Sequence, residues 1–257
     1  MTDIEGAASA LLRARTEGTT LEGGLQGDQL PGSAAEAYEV QDRLVDLTGE
    51  PTAGWKVGAG GAKVQALLGL TEPFRGRYSA SWVVAGPATL PFASFSSPPG
   101  VECELAVRLG RDLGRCDEAE ARDAVDALLP MIEVVGSRTG KGMPSGAVNL
   151  VADNGMAAYL VHGTPVPVAE APPLEEIAAR LEVDGAEKAQ GTLASGGVEP
   201  FAMVAWLANH LADRGRCLEA GTLVTTGSMT GVRWAKPGER AVADLGPLGS
   251  VVAHFPA

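Results

Sequence analysis

The stretch that decides the fold is Val101-Glu-Cys-Glu-Leu-Ala-Val-Arg108, in which apolar and acidic residues alternate. Alternation with a period of two predicts a β-strand, with Glu102 and Glu104 on one face and the apolar side chains on the other. Two carboxylates on one strand face repel each other unless a positive charge lies between them. This face therefore either meets water or holds a cation.

A third carboxylate, Glu133, lies inside the apolar run Leu128-Leu-Pro-Met-Ile-Glu-Val-Val135, which predicts a buried strand. A lone buried carboxylate is costly unless it is paired or binds a cation. One divalent ion would satisfy Glu102, Glu104 and Glu133 together, and ligation by oxygen alone favours Mg²⁺ or Mn²⁺ over zinc. A solvated acidic face is the alternative for the E-x-E motif, and Glu133 is the residue that favours the metal.

Length and composition bound the class of protein. The 257 residues suit one large domain, or one domain with a small N-terminal extension, and an apolar content of 45% is enough for a core. The net charge of −12 argues against nucleic acid or an anionic membrane as the main partner. The N-terminus lacks an apolar signal region, and no apolar run is long enough to span a membrane.

Cysteine and histidine usage predicts a cytoplasmic protein without a zinc site. The cysteines are odd in number and widely spaced, which indicates a reducing compartment: Cys103, Cys116 and Cys217. The histidines do not cluster at zinc-ligand spacing and are expected to be surface or packing residues: His162, His210 and His254.

The order of predicted elements favours an α+β fold over a doubly wound sheet. Two helices form a helical N-terminal part over residues 1–52, and residues 53–257 form the main domain. Periodicity and capping residues predict helices at 3–16, from Ser33 to about 47, at 62–68, from Asp117 to Leu129, and from Pro200 to Leu211. Strands are predicted at 55–57, within 82–109, around Glu133, and at 157–161, 174–184, 222–226, 241–245 and 251–255.

Two loops have compositions typical of binding sites. The glycine-rich segment Gly58–Gly61 lets a ligand approach the backbone, but it does not match a nucleotide-binding motif, so we reject a nucleotide site. The polar loop from Ser137 to Gly146 follows Glu133 directly. It is either a lid over the site or an ordinary mobile connection.

The order of motifs along nearly the whole chain resembles one family. These motifs are Gly54-Trp-Lys-Val-Gly58, Leu68-Gly-Leu-Thr-Glu-Pro73 with Gly76, Val101-Glu-Cys-Glu104, Arg111-Asp-Leu113, Ile132-Glu-Val-Val-Gly-Ser-Arg138, Val151-Ala-Asp-Asn154, Thr225-Thr-Gly-Ser228 and Gly249-Ser-Val251. The pattern is similar to the 2-keto-4-pentenoate hydratase and 4-oxalocrotonate decarboxylase branch of the fumarylacetoacetate hydrolase superfamily. The specific part is the E-x-E followed by the E-V-V-G-S-R segment.

The resemblance implies a fold and a set of site residues. The fold would be a mixed β-sandwich roll with peripheral helices and a helical N-terminal part. Glu102, Glu104 and Glu133 match the metal-ligand positions, for Mg²⁺ or Mn²⁺, and Lys56 matches a lysine that faces the active site. The predicted catalytic residues are Lys56, Asp153 and Ser228. The predicted substrate-binding residues are Gly58, Tyr78, Ser81, Arg138, Asn154, Thr226 and Gly227.

Several of these residues have more than one possible role. Lys56 could hold a substrate carboxylate, or move a proton if a nearby metal lowers its pKa. Asp153 and Asn154 could orient Lys56 or a water, or cap a turn. Ser228 could bind substrate or belong to a tight turn. Arg138 is either a partner for the carboxylates or a surface ion pair.

Three positions depart from the family pattern. Relatives often carry an acidic residue after the Gly76 region, where this chain has Arg77-Tyr-Ser-Ala-Ser-Trp82. A proton-transfer group would then be missing there, or a water, Tyr78 or Ser81 would supply it. Gly60 and Gly61 replace larger or hydroxyl residues, and Met156 stands where some hydratases place a serine. These departures leave the metal site intact and bear on which reaction is catalysed.

The chain is therefore expected to be a divalent-metal-dependent lyase that hydrates a 2-oxo or 2-hydroxydienoic acid through a stabilised enolate. The alternatives are a decarboxylase of a 4-oxalocrotonate-type diacid, an acylpyruvate C–C hydrolase, and a non-catalytic paralogue of an active sister enzyme. The expected partner is a small 2-oxo acid. Association as a homo-oligomer, or with a sister hydratase or decarboxylase, is also implied by the resemblance.

Overall fold

Two β-sheets with helices around them make up the structure, a computed structural model that describes residues 1–140 and 146–257. The α-helices are α1 (Ile4–Glu17), α2 (Ala34–Asp46), α3 (Ala62–Leu68), α4 (Glu118–Ala124), α5 (Gly146–Ala152), α6 (Leu193–Gly196) and α7 (Pro200–Ala212). The strands are β1 (Thr52–Gly58), β2 (Phe74–Ser79), β3 (Val83–Ala85), β4 (Ala88–Thr89), β5 (Gly100–Leu109), β6 (Val125–Val135), β7 (Ala157–His162), β8 (Val166–Pro167), β9 (Ala178–Val183), β10 (Ala186–Thr192), β11 (Leu223–Ser228), β12 (Arg233–Trp234), β13 (Arg240–Asp244) and β14 (Ser250–His254).

The larger sheet has the strand order β2-β1-β11-β5-β6-β7-β3, with β12 beside β5 and β8 beside β6. The smaller sheet has the order β10-β9-β13-β14-β4. Parallel pairs such as β1 with β11 occur next to antiparallel pairs such as β5 with β6. This mixture agrees with the expected α+β roll and not with a doubly wound parallel sheet.

Alternation along the strands gives the larger sheet two different faces. On β5, Val101, Cys103, Leu105 and Val107 join the core that lies against the smaller sheet and α7. On the opposite face, Ala106 packs with the second core, which contains residues of α1, α2 and α5. Because side chains alternate along a strand, Glu102 and Glu104 lie on this second face. The E-x-E pattern is thus a consequence of one strand between two different environments.

The N-terminal helices pack on that second face. Ala8 and Leu11 of α1 and Leu44 of α2 are buried in the same cluster as Leu129 and Leu160 of the larger sheet. Asp3 accepts a hydrogen bond from Gly6 N at the start of α1, and Ser33 accepts one from Glu36 N at the start of α2. These caps satisfy backbone donors that the first turn leaves free.

The helix after Asp117 is shorter than predicted. Asp117 and Glu120 form the reciprocal capping box, but α4 ends at Ala124 and not at Leu129. From Val125 onward the chain pairs with β5, where Leu128 faces Val107. Pairing across the sheet buries these β-branched and leucine side chains, so the tertiary contact overrides their local helix propensity.

Four strands and two α-helices of the described chain were not predicted, and one segment was only partly a strand. The missed strands are β2, which carries Arg75, Arg77 and Tyr78, β10, whose residues are largely exposed, and the two-residue strands β8 and β12. The missed helices are α5 and α6. Within 174–184 the chain makes a 3₁₀ turn at Leu174–Glu176 before β9 begins. The remaining predicted helices and strands are present with shifts of one or a few residues at their ends.

The predicted lid loop from Ser137 to Gly146 is described only in part, because residues 141–145 lie outside the described residues. Its first three residues, Ser137, Arg138 and Thr139, are buried and hydrogen-bond to Asp153. This beginning of the loop is therefore held against Asp153 by packing and hydrogen bonds.

Candidate active site

One face of the larger sheet brings the predicted metal ligands together. Glu102 and Glu133 are direct cross-strand partners of the antiparallel pair β5–β6. Glu104 lies two residues further along the same face of β5. One carboxylate oxygen from each of Glu102, Glu104 and Glu133 can be chosen so that all three lie within 4.8 Å of one another. Glu104 and Glu133 are almost fully buried, so water does not screen their charges.

Lys56 of β1 and Tyr78 of β2, two other strands of the same sheet, complete this cluster. The Lys56 ammonium forms an ion pair with Glu133 Oε1, and the Tyr78 hydroxyl donates to the same oxygen over 2.9 Å. Trp55 and Val57 point into the core against the smaller sheet, which places Lys56 on the carboxylate face. The Lys56 Nζ also lies 5.7 Å from the centre of the Phe74 ring.

Gly76 provides the space across which Lys56 extends. It is the cross-strand partner of Lys56, and a Cβ at this position would lie 2.8 Å from Lys56 Cγ and 2.6 Å from the Asn154 carbonyl oxygen. A side chain there would displace the lysine from Glu133. Glycine is therefore required by close approach at this position.

The charges in the cluster shift the pKa values of its members. Burial and the Glu133 charge raise the pKa of Glu102 to about 7, although Lys56 and the nearby Ser228 hydroxyl oppose the rise. Burial and the two neighbouring carboxylates also raise the pKa of Glu104 well above its usual value. Burial alone would lower the pKa of Lys56, but Glu133 and Glu102 raise it overall. The cluster of three acids and one base thus has an excess of negative charge, and a cation would stabilise it.

The end of β11 lines the site. Thr226 Oγ1 donates to the Leu105 carbonyl, and Gly227, with φ of 121°, directs its N–H to Glu104 Oε2 over 3.0 Å. The Ser228 hydroxyl is buried at the wall and makes no well-formed hydrogen bond within the described part of the protein. It lies within reach of the Glu102 carboxylate, whose pKa it lowers.

A cavity of about 990 Å³ opens from this cluster. Lys56 and the three glutamates lie on its wall, together with Gly58 and the segment Thr226–Ser228. The rest of the described wall is largely apolar. It includes Val64, Leu67, Leu68, Phe74, Val135, Leu150, Met156, Val198, Met229, Val232 and Trp234.

Asp153 and Arg138 lie elsewhere than the sequence predicted. They form a buried ion pair with each other, and the Arg138 backbone N–H donates to Asp153 Oδ2 over 2.8 Å. Arg138 also donates to the Ala157 carbonyl over 2.8 Å. Neither residue lies on the described cavity wall, and the Asp153 carboxylate accepts hydrogen bonds from residues 137–139 and not from Lys56. The alternative of a surface ion pair for Arg138 is wrong because both side chains are buried.

Asn154 and Ser81 also have other neighbours than expected. Asn154 Oδ1 accepts from Arg77 N over 2.8 Å and its Nδ2 donates to Arg77 O over 2.7 Å, which holds β2 in place. Ser81 is exposed, and its backbone N–H donates to Glu50. The structure thus gives Asn154 a positioning contact and leaves Ser81 outside the cavity. Of the two side chains suggested for proton transfer, Tyr78 alone contacts the cluster.

Sequence reasoning missed the apolar part of the cavity. Phe74 is its clearest member, because a Cβ on either Gly58 or Gly155 would lie within 2.6 Å of the Phe74 ring. The glycines on both sides of the ring were visible in the sequence, but their common neighbour was not. Val198 and Trp234 come from segments far along the chain, and no local pattern connects them with Glu102.

Comparisons with known proteins show the family of this chain. The family described as "Fumarylacetoacetate (FAA) hydrolase C-terminal" matches residues 73–255. The chain belongs to the fumarylacetoacetate hydrolase family. A 2-keto-4-pentenoate hydratase of Burkholderia vietnamiensis is 31% identical over 258 residues, which cover 98% of this chain and 97% of that protein. A 4-oxalocrotonate decarboxylase of Pseudomonas putida is 29% identical over 86% of this chain and 85% of that protein.

Solved structures confirm the family fold over the whole chain. The 4-oxalocrotonate decarboxylase from Pseudomonas putida G7, complexed with magnesium and adipate, has a TM-score of 0.90 at 26% identity and covers 98% of this chain and 97% of that one. A fumarylpyruvate hydrolase from Pseudomonas aeruginosa, in complex with Mn²⁺ and pyruvate, has a TM-score of 0.60 at 20% identity over 80% and 90% of the two chains. The second likeness concerns the fold alone. The expected β-sandwich roll and branch of the superfamily are thus confirmed.

Proposed function

We propose that this protein is a divalent-metal-dependent hydratase of a 2-oxo or 2-hydroxydienoic acid. The observation that carries the proposal is the cluster of Glu102, Glu104 and Glu133 with Lys56 at one end of a largely apolar cavity. The named relatives that match nearly the full chain are mostly 2-keto-4-pentenoate hydratases, such as those of Burkholderia vietnamiensis and Dechloromonas aromatica. For such a substrate, water adds across the terminal double bond, with its hydroxyl to C4 and its proton to C5.

The carboxylate cluster fits Mg²⁺ or Mn²⁺. Its donors are all oxygens, and they lie close enough to be brought onto one ion by small side-chain movements. The raised pKa values of Glu102 and Glu104 show that the protein alone does not compensate their charge. A divalent ion held by these three residues would act as a Lewis acid and stabilise the enolate charge of a bound 2-oxo acid.

The side chains around the carboxylates would bind and orient the acid. Lys56 is the positively charged group of the cluster, and it can pair with a substrate carboxylate while it keeps its contact with Glu133. The Ser228 hydroxyl, which lies beside Glu102 without a well-formed hydrogen bond, can donate one to a substrate oxygen. Tyr78 donates to Glu133 and holds a proton beside the cluster, because burial and Glu133 raise the pKa of its hydroxyl well above the usual value.

Decarboxylation of a 4-oxalocrotonate-type acid is the second candidate. The observation that favours it is the TM-score of 0.90 to a 4-oxalocrotonate decarboxylase over 98% of this chain. Both reactions need stabilisation of an enolate, so the cluster serves either one. An acylpyruvate hydrolase would also need a base to activate water, and no acid–histidine pair lies among the described cavity-lining residues.

The assembly and the location of the protein are also proposals. We infer a homo-oligomer from the family resemblance, and association with a sister hydratase or decarboxylase is the alternative for a non-catalytic paralogue. A cytoplasmic location rests on the three free cysteines, of which Cys103 and Cys116 are buried. No described helix is both long enough and apolar enough to cross a bilayer.

An assay with purified protein and Mg²⁺ tests the proposed reaction. We expect loss of the dienol absorbance of 2-hydroxypenta-2,4-dienoate without release of CO₂, and no turnover by Glu104→Gln. Release of CO₂ from a 4-oxalocrotonate-type diacid would instead support the decarboxylase. If the protein bound metal but reacted with neither substrate, the result would favour the non-catalytic paralogue. An exposed glutamate on α4 provides the control, because Glu118→Gln removes a charge far from the cluster.

A further inference from the structure

The charged groups of the cavity all lie at one end. Among the described wall residues, the ionisable side chains are Lys56, Glu102, Glu104 and Glu133, and these form the single cluster. The remaining polar side chains on this wall are neutral: Gln190, Ser195, Thr226, Ser228 and Thr230. One acid group of a substrate therefore has a charged partner, and a second acid group further along the cavity has none in the described wall.

The apolar surface continues from the interior to the opening. Phe74, Leu150 and Met156 are buried parts of the wall. At the solvent side, Val64 and Val232 are each 43% exposed and Leu67 is 83% exposed. Three of the six exposed large hydrophobic residues in the described chain thus line this one cavity. Exposed apolar side chains grouped at a cavity are typical of a surface that binds an apolar ligand.

The cavity is also larger than a five-carbon acid needs. Such an acid has about eight non-hydrogen atoms, and at roughly 30 Å³ each, the share of a water molecule in the liquid, they fill about 240 Å³. The cavity measures about 990 Å³. A short acid bound at the cluster would leave most of the apolar wall in contact with water. A longer apolar tail would cover this wall and remove the unfavourable free energy of its hydration.

We infer that the substrate of this protein is a 2-oxo monoacid with an apolar tail longer than that of a five-carbon acid, and not a diacid. The inference rests on the proposed function, because it places the 2-oxo acid head group at the carboxylate cluster. It favours the hydratase over the decarboxylase of a diacid, since the described wall beyond the cluster offers a distal carboxylate only apolar and neutral side chains. Burial of a charge without a partner is strongly unfavourable.

Binding of unreactive 2-oxo acids tests the inference on the intact protein with Mg²⁺. The probes for calorimetry are pyruvate, 2-oxopentanoate, 2-oxohexanoate and 2-oxooctanoate, with 2-oxoadipate as the diacid of the same length as 2-oxohexanoate. Each buried methylene is expected to tighten binding by about threefold to fourfold. We also expect 2-oxohexanoate to bind at least about tenfold more tightly than 2-oxoadipate.

The result separates the inference from the proposed function. Magnesium-dependent binding of pyruvate with no gain along the series, or equal binding of 2-oxoadipate and 2-oxohexanoate, would overturn the inference alone. If no 2-oxo acid bound in a magnesium-dependent way, the proposed function and the inference would both be overturned. An affinity that rises from pyruvate to 2-oxooctanoate, together with weak binding of 2-oxoadipate, would support both the proposed function and the inference.

Two similarly exposed valines provide a matched pair of variants. Val232 lies on the cavity wall, whereas Val168, which is 40% exposed, lies outside it. Val232→Ser should weaken binding of 2-oxooctanoate by about threefold and leave pyruvate unchanged, because only the long tail reaches the opening. Val168→Ser should change neither. Equal weakening of pyruvate and 2-oxooctanoate by Val232→Ser, or no effect on 2-oxooctanoate, would contradict an apolar tail at this wall.

Discussion

At the scale of single residues, Glu104 occupies a position where the proposed metal binding would come at the expense of stability. Its carboxylate is almost fully buried, accepts one bond from Gly227 N, and lies beside Glu102 and Glu133. Burial and these two charges raise its pKa, so the ionised form is disfavoured in the protein alone. A residue selected for folding alone would be neutral here.

Glu104→Gln should therefore raise the melting temperature without metal and abolish the stabilisation that Mg²⁺ provides. The amide keeps the shape and can still accept from Gly227, but it removes a buried charge and a metal donor. Thermal denaturation with and without Mg²⁺ measures both effects, and Glu118→Gln on exposed α4 is the control. Equal magnesium stabilisation of Glu104→Gln and the unaltered protein would show that Glu104 is not a ligand.

Asn154 is a second residue whose effect is local and specific. Its side chain forms two hydrogen bonds with the Arg77 backbone, and its own φ is 56°. Asn154→Ala should lower the free energy of unfolding by about 2–4 kcal/mol, since both bonds are lost and alanine tolerates this φ poorly. Asn154→Gly should cost less, because glycine adopts this φ freely. Urea denaturation measures both variants, and no difference between Ala and Asn would contradict the positioning contact.

At the scale of elements, α7 carries a buried histidine that links stability to pH. His210 packs against the rings of Tyr38 and Trp206, and its Nε2 has no hydrogen-bond partner in the described structure. Burial and the charges of Arg214 and Arg75 lower its pKa to about 3. The groups that face it are Tyr38, Asp42, Arg75, Trp206, Asp213 and Arg214.

The lowered pKa predicts a loss of stability in acid. The unfolded chain takes up a proton at His210 below a pH of about 6.5, whereas the folded protein does not until about pH 3. The free energy of unfolding therefore falls as the pH drops through this window. His210→Phe should make the fall between pH 6.5 and 4 less steep in urea denaturation, while His254→Phe on β14 serves as the control. An identical slope for His210→Phe would mean that His210 titrates normally.

At the scale of the whole molecule, the N-terminal part and the main domain share one core. Residues of α1 and α2 pack with Leu129 and Leu160 of the larger sheet. Arg15 of α1 also donates to the Ala157 and Ala158 carbonyls over 3.1 and 2.6 Å, and its guanidinium lies 3.7 Å from the Trp82 ring centre. These contacts join residues 1–52 to the sheet that carries the site.

We therefore expect a single unfolding transition for the whole chain. Arg15→Met should lower the free energy of unfolding by about 2–4 kcal/mol, because it removes charged donors from buried carbonyls. The melting temperature of the transition should fall with it. Far-ultraviolet and near-ultraviolet circular dichroism should report the same midpoint. Arg13→Met, at an exposed position of the same helix, is the matched control. Two separate transitions would show that the N-terminal helices fold as an independent unit.

Much of the fold followed from local patterns. The alternation around Glu102 predicted β5 and its two faces, and Pro200 predicted the first turn of α7. The end of α4 was wrong, and β2 was missed, since pairing with a distant strand decides both. Periodicity reports only neighbours within a few residues along the chain, and it cannot report which strand lies alongside.

By itself, the sequence determined which residues carry unusual chemistry. Glu102 and Glu104 stood out as like charges on one strand face, and Glu133 stood out as a charge in a segment predicted to be buried. Only the tertiary structure decided how Lys56 and Tyr78 share one oxygen of Glu133, and that Asp153 binds Arg138 and not Lys56. It also decided that the cavity is largely apolar beyond the cluster. The conflict between a charged side chain and its apolar neighbours is visible within one segment of the sequence. The contact partner of each side chain depends instead on the register of strands that lie far apart in the chain.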